Sequence, residues 1–459
     1  MNVDLARVQF ALTSIYHFLF VPVTMGLALL VAVMQTLWHR SGVEAWRRLT
    51  RFFGTLLLIN VAVGVVTGLV QEFEFGMNWS AYSRYVGDIF GGPLAMEGLA
   101  AFFLESTFLG LWVFGWDRLS PRVHLFCIWM VALGSWLSAA FIMAANSWMQ
   151  HPVGYAPGSA GQPPRLNDIG AVFANPVFLW GYFHVLLAAL ATGTLVLLSI
   201  SAWHLRRAVE VDAFRRSAAL SITILVPLSI ALVLVGSQLG VIETRYQPMK
   251  IAAAEAQWDT CQPCSFSAFQ VGGGKNDEDP QKVIAIPHLL SILATLSWNG
   301  EVVGLNELQA QYEQQYGPGD YIPNVFVQYW SMRVMAYLAT AIVLLALWGA
   351  WLLYRRRLET SKWFLRAAVW AVFTPFIMNT AGWMLTENGR QPWIVQGLMK
   401  TADGVSASVS TTEIVISIVV FALLYIALGV TELVLMLRYA RRGLPDEAKP
   451  REPVPALTY

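Results

Sequence analysis

The chain has 459 residues, of which 56% are hydrophobic and 13% charged, and its mean hydropathy is +0.53. These values lie far from those of a soluble globular protein and indicate a membrane protein. A formal net charge of +1 and the lack of a long basic tract argue against a nucleic-acid partner. The first ten residues, MNVDLARVQF, include an acid and precede no small-residue cleavage site, so we expect the first apolar segment to be retained.

Nine apolar runs are long enough to cross a membrane, since about 20 helical residues span a hydrocarbon core of about 30 Å. They lie near 14–37, 53–73, 93–115, 123–147, 176–203, 217–241, 327–354, 365–386 and 414–437. The sequence therefore predicts an all-α integral membrane protein with nine transmembrane helices.

The distribution of Lys and Arg predicts the orientation, because basic loops stay in the cytoplasm. Most basic residues fall in alternate loops and in the C-terminal tail. These basic clusters lie within 40–51, 118–122, 206–216, 355–366 and 438–451. An odd number of crossings separates the termini, so the N-terminus is predicted outside and the C-terminus in the cytoplasm.

The predicted helices and loops divide the chain into four parts. They are helices 1–6 over 1–241, an outer loop domain over 242–326, helices 7–9 over 327–440 and a cytoplasmic tail over 441–459. The outer loop contains GGGKNDEDPQK (272–282), a turn-rich segment whose glycines lack the spacing of a phosphate-binding loop.

Two cysteines, Cys261 and Cys264, form the sequence CQPC in the outer loop. Thiols outside the cytoplasm tend to be oxidised, so a local disulfide is favoured over two free thiols. Cys127 lies within the fourth span and is interpreted as a small buried apolar residue.

Ionisable residues inside a membrane cost about 2.5 to 3.5 kcal/mol each on insertion scales, and they commonly mark functional sites. With the predicted orientation, six functional side chains from five helices fall in the outer third of the membrane. They are His17, Glu97, His184, Arg333, Met335 and Glu387. A single His or Met usually packs between helices, and a single Glu can extend to the interface. The shared depth favours a common site instead.

Imidazole, thioether and carboxylate groups are ligands of haem iron. His/Met ligation gives an electron-transfer centre, and weaker ligation leaves the iron open to a small molecule. The further histidines that a haem-copper oxidase or a bis-His cytochrome b needs at this depth are missing from the sequence. The alternative is an ion-conducting transporter or channel without haem, in which Glu97, Glu105, Arg333 and Glu387 line an ion path.

Seven segments spread over nearly the whole chain resemble subunit I of the cytochrome bd quinol oxidases. They are QFALTSIYHFLFVP (9–22), GGPLAMEGLAAFFLESTFLG (91–110), WLSAAFIMAANSWMQHPVGY (136–155), FHVLLAALATG (183–193), KIAAAEAQW (250–258), WSMRVM (330–335) and GWMLTENGRQPW (382–393). The resemblance implies an electrogenic quinol:O2 oxidoreductase that oxidises quinol at the outer face and reduces O2 to water, generating proton-motive force without pumping. The outer loop resembles the short form of the family's quinol loop, the Q-loop.

The resemblance also implies haem-binding residues. His184 and Met335 would be the axial ligands of haem b558, with Arg333 near its propionates. His17 and Glu97 would lie at haem d. The sequence leaves open how His17, Glu97 and Glu387 are divided between haems d and b595.

Haem b595 would be held by residues of the motif GWMLTENGRQPW. Glu387 would ligate its iron, Trp383 would lie beside it and Arg390 would bind its propionates. With these separate roles, Glu387 and Arg390 are expected not to form a salt bridge with one another.

The remaining implied residues handle protons and quinol. Glu105 follows Glu97 by eight residues, which puts it about 12 Å deeper along a regular helix. With Ser138 it would form a proton path from the cytoplasm. The resemblance implies that Lys250 and Glu255 bind and deprotonate the quinol. Their spacing alone indicates only a solvent-exposed helix face.

The resemblance implies partners and a location as well. These are subunit II in a heterodimer, small single-span subunits, menaquinol or ubiquinol, O2 and the bacterial plasma membrane. The sequence does not decide between the two quinols, nor whether a third haem b replaces haem d.

Overall fold

The computed structural model describes residues 2–158, 162–275 and 279–446. In these ranges nine helices are long and apolar enough to cross a membrane, which confirms the predicted fold class. They are Asn2–Ser41, Glu44–Met77, Ser80–Phe114, Pro121–Gln150, Pro176–Arg206, Val211–Tyr246, Val325–Tyr354, Lys362–Gly389 and Thr411–Arg441. Most extend beyond the predicted apolar runs, because a helix continues its backbone hydrogen bonds past the edge of the lipid. Residues 276–278 of the glycine-rich segment and 447–459 of the tail lie outside the described residues.

We label the elements in chain order. The helices are α1 (Asn2–Ser41), α2 (Glu44–Met77), α3 (Ser80–Met96), α4 (Phe103–Phe114), α5 (Pro121–Gln150), α6 (Ile169–Phe173), α7 (Pro176–Arg206), α8 (Val211–Tyr246), α9 (Pro248–Ala254), α10 (Leu289–Thr295), α11 (Leu305–Tyr316), α12 (Val325–Tyr354), α13 (Lys362–Trp370), α14 (Thr374–Gly389), α15 (Thr401–Gly404) and α16 (Thr411–Arg441). The strands are β1 (Tyr155–Ala156), β2 (Arg165–Leu166), β3 (Phe266–Val271), β4 (Gln281–Ile286), β5 (Trp393–Val395) and β6 (Met399–Lys400).

Two of the nine spans are interrupted. A π-helical segment, Glu97–Phe102, joins α3 to α4, and a 3-10 turn, Ala371–Phe373, joins α13 to α14. Single π-helical turns occur frequently at functional sites. Here the π-helical segment begins at Glu97, a predicted site residue, and it changes the register between Glu97 and Glu105 from that of a regular helix.

The segment between α8 and α12 folds over one end of the bundle, which we call the loop side. It contains α9, the antiparallel hairpin β3–β4, α10 and α11. Cys261 and Cys264 form a disulfide in this segment, so the predicted pairing is confirmed. Cys127 is buried within α5, as predicted.

Side-chain caps determine where three transmembrane helices begin on the loop side. Asn175 accepts a hydrogen bond from the backbone of α7 and Asn324 from that of α12, and Ser410 forms a capping box with Glu413 at α16. His184 and Met335 lie nine and eleven residues after the caps of their helices. These spacings place both residues at similar depths, roughly 14 and 17 Å along their helices.

The main hydrophobic core includes residues of α1, α2, α5, α7, α8, α12 and α13. One close helix crossing is at two glycines, one on α1 and one on α7. A Cβ atom added at Gly26 would lie 2.3 Å from the Ala189 carbonyl oxygen, and one added at Gly193 would lie 2.5 Å from the Gly26 carbonyl carbon. Small residues allow this approach of two backbones, which is a common way of packing helices in membranes.

We expect Gly193→Ala to destabilise the protein by about 1–3 kcal/mol, because the added methyl group would separate α1 from α7. The measurement is the Tm in detergent. Gly87→Ala on α3 is the control, since no atom lies within 4 Å of an added Cβ there. Equal Tm values for the two variants would contradict the packing explanation.

Candidate functional site

His17 is held by α2. Its Nδ1 atom lies 2.9 Å from the Thr67 hydroxyl, and a Cβ atom added at the neighbouring Gly68 would lie 3.1 Å from the imidazole. A ligating histidine commonly uses one ring nitrogen for such a bond and the other for the metal. Nε2 of His17 is therefore available as a ligand.

His184 and Met335 are each placed against a glycine. A Cβ atom added at Gly236 would lie 3.2 Å from the His184 ring, and one added at Gly382 would lie 3.6 Å from the Met335 sulfur. Among the described residues, Nδ1 of His184 is buried without a hydrogen-bond partner. An imidazole and a thioether are a donor pair that fits the axial positions of a low-spin haem.

Glu97 and Glu105 both face α5. The Ser138 hydroxyl donates a 2.6 Å hydrogen bond to the Glu97 carboxylate. A Cβ atom added at Gly134, one turn before Ser138, would lie 2.9 Å from the Glu105 backbone nitrogen. The predicted proton-path residues therefore share one helix interface.

Glu387 lies at the loop-side end of α14, and its side chain is 38% exposed. The Asn146 amide donates a 2.9 Å hydrogen bond to Glu387. One turn earlier, the Trp383 ring packs edge-on against Phe18, the residue after His17. The elements that carry Glu387 and His17 therefore meet.

The expectation that Glu387 and Arg390 do not form a salt bridge is wrong. Nη2 of Arg390 donates a hydrogen bond to the Glu387 carboxylate, and Nη1 donates to the Ile394 carbonyl. The two side chains are one helical turn apart, and a buried guanidinium requires a counter-charge. Nε of Arg390 has no hydrogen-bond partner among the described residues, so this donor remains for a propionate.

Arg333 is completely buried and bound to the folded loop. It forms a two-bond ion pair with Glu255, at 2.7 and 3.0 Å, and donates to the backbone carbonyls of Ala254 and Ser267. These contacts use all five donors of the guanidinium. A contact between Arg333 and a haem propionate would have to replace one of them.

Lys250 is buried beneath the same loop, only 3% exposed, and is not part of a solvated face. Its ammonium group donates to the Glu243 carboxylate at 2.7 Å and to the Gln150 side chain at 2.6 Å. Lys250 and Glu255 thus have separate partners, as their spacing indicates. Burial lowers the pKa of Lys282 on β4, while the nearby Glu255 raises that pKa and Arg333 lowers it.

The donor groups fit haem better than a bare metal ion. Among the residues that the structure describes, no group of three or more His, Cys, Asp or Glu side chains could hold an ion. His17, His184 and Glu387 are instead placed singly, and each is partly exposed. A porphyrin supplies four iron ligands itself, so one or two protein donors per iron are enough.

The structure also contains buried polar residues that the sequence analysis missed. Glu74 is completely buried and accepts a 2.5 Å hydrogen bond from Thr13, but the predicted span ended one residue before it. Asn146 and Gln150 lie in a motif quoted for the resemblance. Their i,i+4 spacing in an apolar run was a usable signal, because it puts two amides on one helix face.

Comparisons with known proteins agree with this architecture. The family model for cytochrome bd terminal oxidase subunit I matches residues 5–444. Cytochrome bd ubiquinol oxidase subunit 1 of Bacillus subtilis (strain 168) is 45% identical over 441 residues, which cover 96% of this chain and 93% of that protein. Cytochrome bd-II ubiquinol oxidase subunit 1 of Escherichia coli (strain K12) is 36% identical over 508 residues, 98% of each chain.

A solved structure shows the same fold. The bd oxidase from Geobacillus thermodenitrificans superimposes with a TM-score of 0.88 at 31% identity, covering 96% of this chain and 98% of that one. The nine membrane-spanning helices of the described residues and the match to a bd oxidase together define a multi-pass membrane protein of the respiratory cytochrome class. The chain belongs to the cytochrome bd terminal oxidase subunit I family. It is a terminal respiratory oxidase subunit whose family couples quinol oxidation to O2 reduction.

We expect Arg333→Met to lower stability by about 3–5 kcal/mol, because it leaves the Glu255 carboxylate buried and unpaired. The double variant Arg333→Met/Glu255→Gln should be more stable than Arg333→Met alone. Thermal unfolding of the purified protein measures both effects. Arg215→Met, which removes exposed ion pairs with Asp212 and Glu359, should cost less than about 1 kcal/mol. A double variant no more stable than Arg333→Met would contradict the role of the ion pair.

Proposed function

We propose that this chain binds the haems and the quinol of an electrogenic quinol:O2 oxidoreductase, with quinol oxidised on the loop side and O2 reduced to water inside the bundle. One observation carries the proposal. Glu255, the proposed quinol base, is paired with Arg333, which lies two residues before the proposed haem ligand Met335 on α12. The quinol site and the low-spin haem site therefore share one rigid helix.

Quinol oxidation requires groups that accept two protons and orient two hydroxyls. Glu255 is the proposed general base, and Arg333 orients its carboxylate through two hydrogen bonds. Lys250 uses two of its three ammonium donors on Glu243 and Gln150, so one remains for a quinol oxygen.

Released protons have a polar route to the loop-side surface. A cavity of about 430 Å³ beside Gln150 is lined by tyrosine, glutamine and histidine side chains, including His151, Tyr246 and Tyr316. Burial lowers the pKa of His151, so its imidazole is neutral at pH 7 and can both accept and donate a proton.

Three haems are assigned to the donors in this proposal. His184 and Met335 would hold haem b558, His17 and Glu97 would hold haem d, and Glu387 would hold haem b595. Trp383 would lie beside haem b595, and the unpartnered Nε of Arg390 would donate to one of its propionates. Bound haem supplies one-electron transfer and an iron that binds O2.

Glu105 and Glu97 are proposed to carry protons from the opposite side of the membrane. Glu105 contacts α5 beside Gly134, and Glu97 accepts a hydrogen bond from Ser138 one turn further along that helix. A carboxylate that gains and loses a proton can pass it along this interface. Proton uptake on one side and release on the other would generate proton-motive force without a pump.

The proposed enzyme is a heterodimer with subunit II, with small single-span subunits attached, in a bacterial plasma membrane. Its N-terminus would face outward, consistent with the basic clusters at the opposite ends of the helices. Menaquinol or ubiquinol is the substrate. The four-part division into two helix groups, Q-loop and tail belongs to this proposal.

A pyridine-haemochrome assay and a reduced-minus-oxidised spectrum of the purified complex test the function. We expect stoichiometric haem with a low-spin band and high-spin bands. A haem-free protein that conducts ions would overturn the proposal in favour of the transporter alternative.

Met335→Leu should remove the low-spin band, because leucine has no sulfur to donate to iron. The reduced-minus-oxidised spectrum measures this loss. Met378→Leu, a buried methionine on α14, is the matched control and should leave the band unchanged. Retention of the low-spin band in Met335→Leu would exclude Met335 as a ligand.

Glu105→Gln should slow steady-state O2 consumption at least about ten-fold, because an amide cannot carry a proton. The haem spectrum should remain that of the wild type. The neighbouring Ser135→Ala removes only a local hydroxyl bond to the α5 backbone and serves as control. Normal O2 consumption by Glu105→Gln would remove Glu105 from the proton path.

A further inference from the structure

A continuous chain of hydrogen bonds connects Lys250 to Glu387. Nζ of Lys250 donates to Oε1 of Gln150 at 2.6 Å, Nε2 of Gln150 donates to Oδ1 of Asn146 at 2.8 Å, and Nδ2 of Asn146 donates to Oε1 of Glu387 at 2.9 Å. The ends of this chain belong to the proposed quinol site and the proposed b595 site. Only two side chains, both from α5, separate them.

All the hydrogen bonds of this chain point the same way, from Lys250 toward Glu387. Each amide accepts with its oxygen from the lysine side and donates with its nitrogen to the glutamate side. Gln150 is held further, because its backbone carbonyl accepts a 2.5 Å hydrogen bond from the Gln247 side chain. In a low-dielectric interior such aligned bonds strengthen one another, and a break at one point affects all of them.

A second contact joins the same two sites. A Cβ atom added at Gly389, two residues after Glu387, would lie 2.3 Å from Cγ of Lys250 and 1.9 Å from Nε2 of Gln328. Gln328 is completely buried, and its amide has no hydrogen-bond partner among the described residues. The end of α14 is therefore packed directly onto the Lys250 side chain.

We propose, on the basis of the proposed function, that Asn146 and Gln150 are positioning residues that couple the quinol site to the high-spin haem site. Gln150 directs the Lys250 ammonium, Asn146 directs the Glu387 carboxylate, and the bond between the two amides makes each orientation depend on the other. Quinol binding at Lys250 therefore changes the environment of the iron at Glu387. Such coupling between two sites is necessarily reciprocal.

Two variants with crossed measurements test the coupling. Gln150→Met keeps the side-chain length but removes both amide bonds, and Asn146→Leu removes the bonds to Gln150 and Glu387. Gln150→Met should alter the high-spin haem band and midpoint potential, although Gln150 does not touch Glu387. Asn146→Leu should raise the KM for quinol about five-fold or more, although Asn146 does not touch Lys250. If Gln150→Met changed only the KM for quinol and Asn146→Leu changed only the high-spin haem, the two residues would have purely local roles. That result would overturn the coupling.

The control is Asn379→Leu, which removes a partly buried amide of α14 that donates to Thr192 on α7 and belongs to neither site. It should change neither the high-spin band nor the KM. Haem content and Tm identify any variant that fails to fold.

The coupling can also be tested on the wild-type protein. Saturation with a quinol analogue that cannot be oxidised should shift the midpoint potential of a high-spin haem, as followed by spectroelectrochemistry. An unchanged potential would overturn the coupling. A wild-type protein without haem would instead disprove the proposed function, so the two failures are distinguishable.

Discussion

The ion pair between Arg333 and Glu255 is the interaction on which the loop-side half of the structure depends. A guanidinium on a transmembrane helix is tolerated only if its charge and all its donors are satisfied, because water is not available there. Glu255 supplies the charge, and the carbonyls of Ala254 and Ser267 complete the set. The loop is therefore attached to α12 at the depth of the proposed haem ligand Met335.

Lys250 is also a buried charge that needs partners, and its hydrogen bonds begin a connection across the bundle. Its charge is balanced by Glu243, and its second hydrogen bond goes to Gln150. A buried amide is stabilised by hydrogen bonds, and here Gln150 binds Asn146 and Asn146 binds Glu387. The requirement to satisfy one buried lysine thus generates the connection between two sites that are far apart in the sequence.

Glycines let neighbouring helices approach the proposed ligand residues closely. An added Cβ atom would lie 3.1 Å from the His17 ring at Gly68, 3.2 Å from the His184 ring at Gly236 and 3.6 Å from the Met335 sulfur at Gly382. Gly26 and Gly193 likewise bring α1 and α7 into backbone contact. The same residue type thus provides close packing both at the sites and in the core.

The sequence predicted the spans and many candidate residues because both depend on local properties. Apolar length identifies a transmembrane helix, and an ionisable residue in such a helix is conspicuous. It did not predict the Glu387–Arg390 salt bridge or the burial of Glu74. In each case the outcome depended on what surrounds the side chain, which neither spacing nor hydropathy contains.

By itself, the sequence determined nine spans and a local disulfide in the long loop, and it predicted a set of haem-type donors at one depth. Only the tertiary structure decided the pairing of charges: Arg333 with Glu255, Lys250 with Glu243, and Glu387 with Arg390. It also decided that Asn146 and Gln150 connect the last two pairs. The physical reason is that hydropathy accumulates along the chain, whereas a buried charge selects its partner from all groups that folding brings within hydrogen-bond distance.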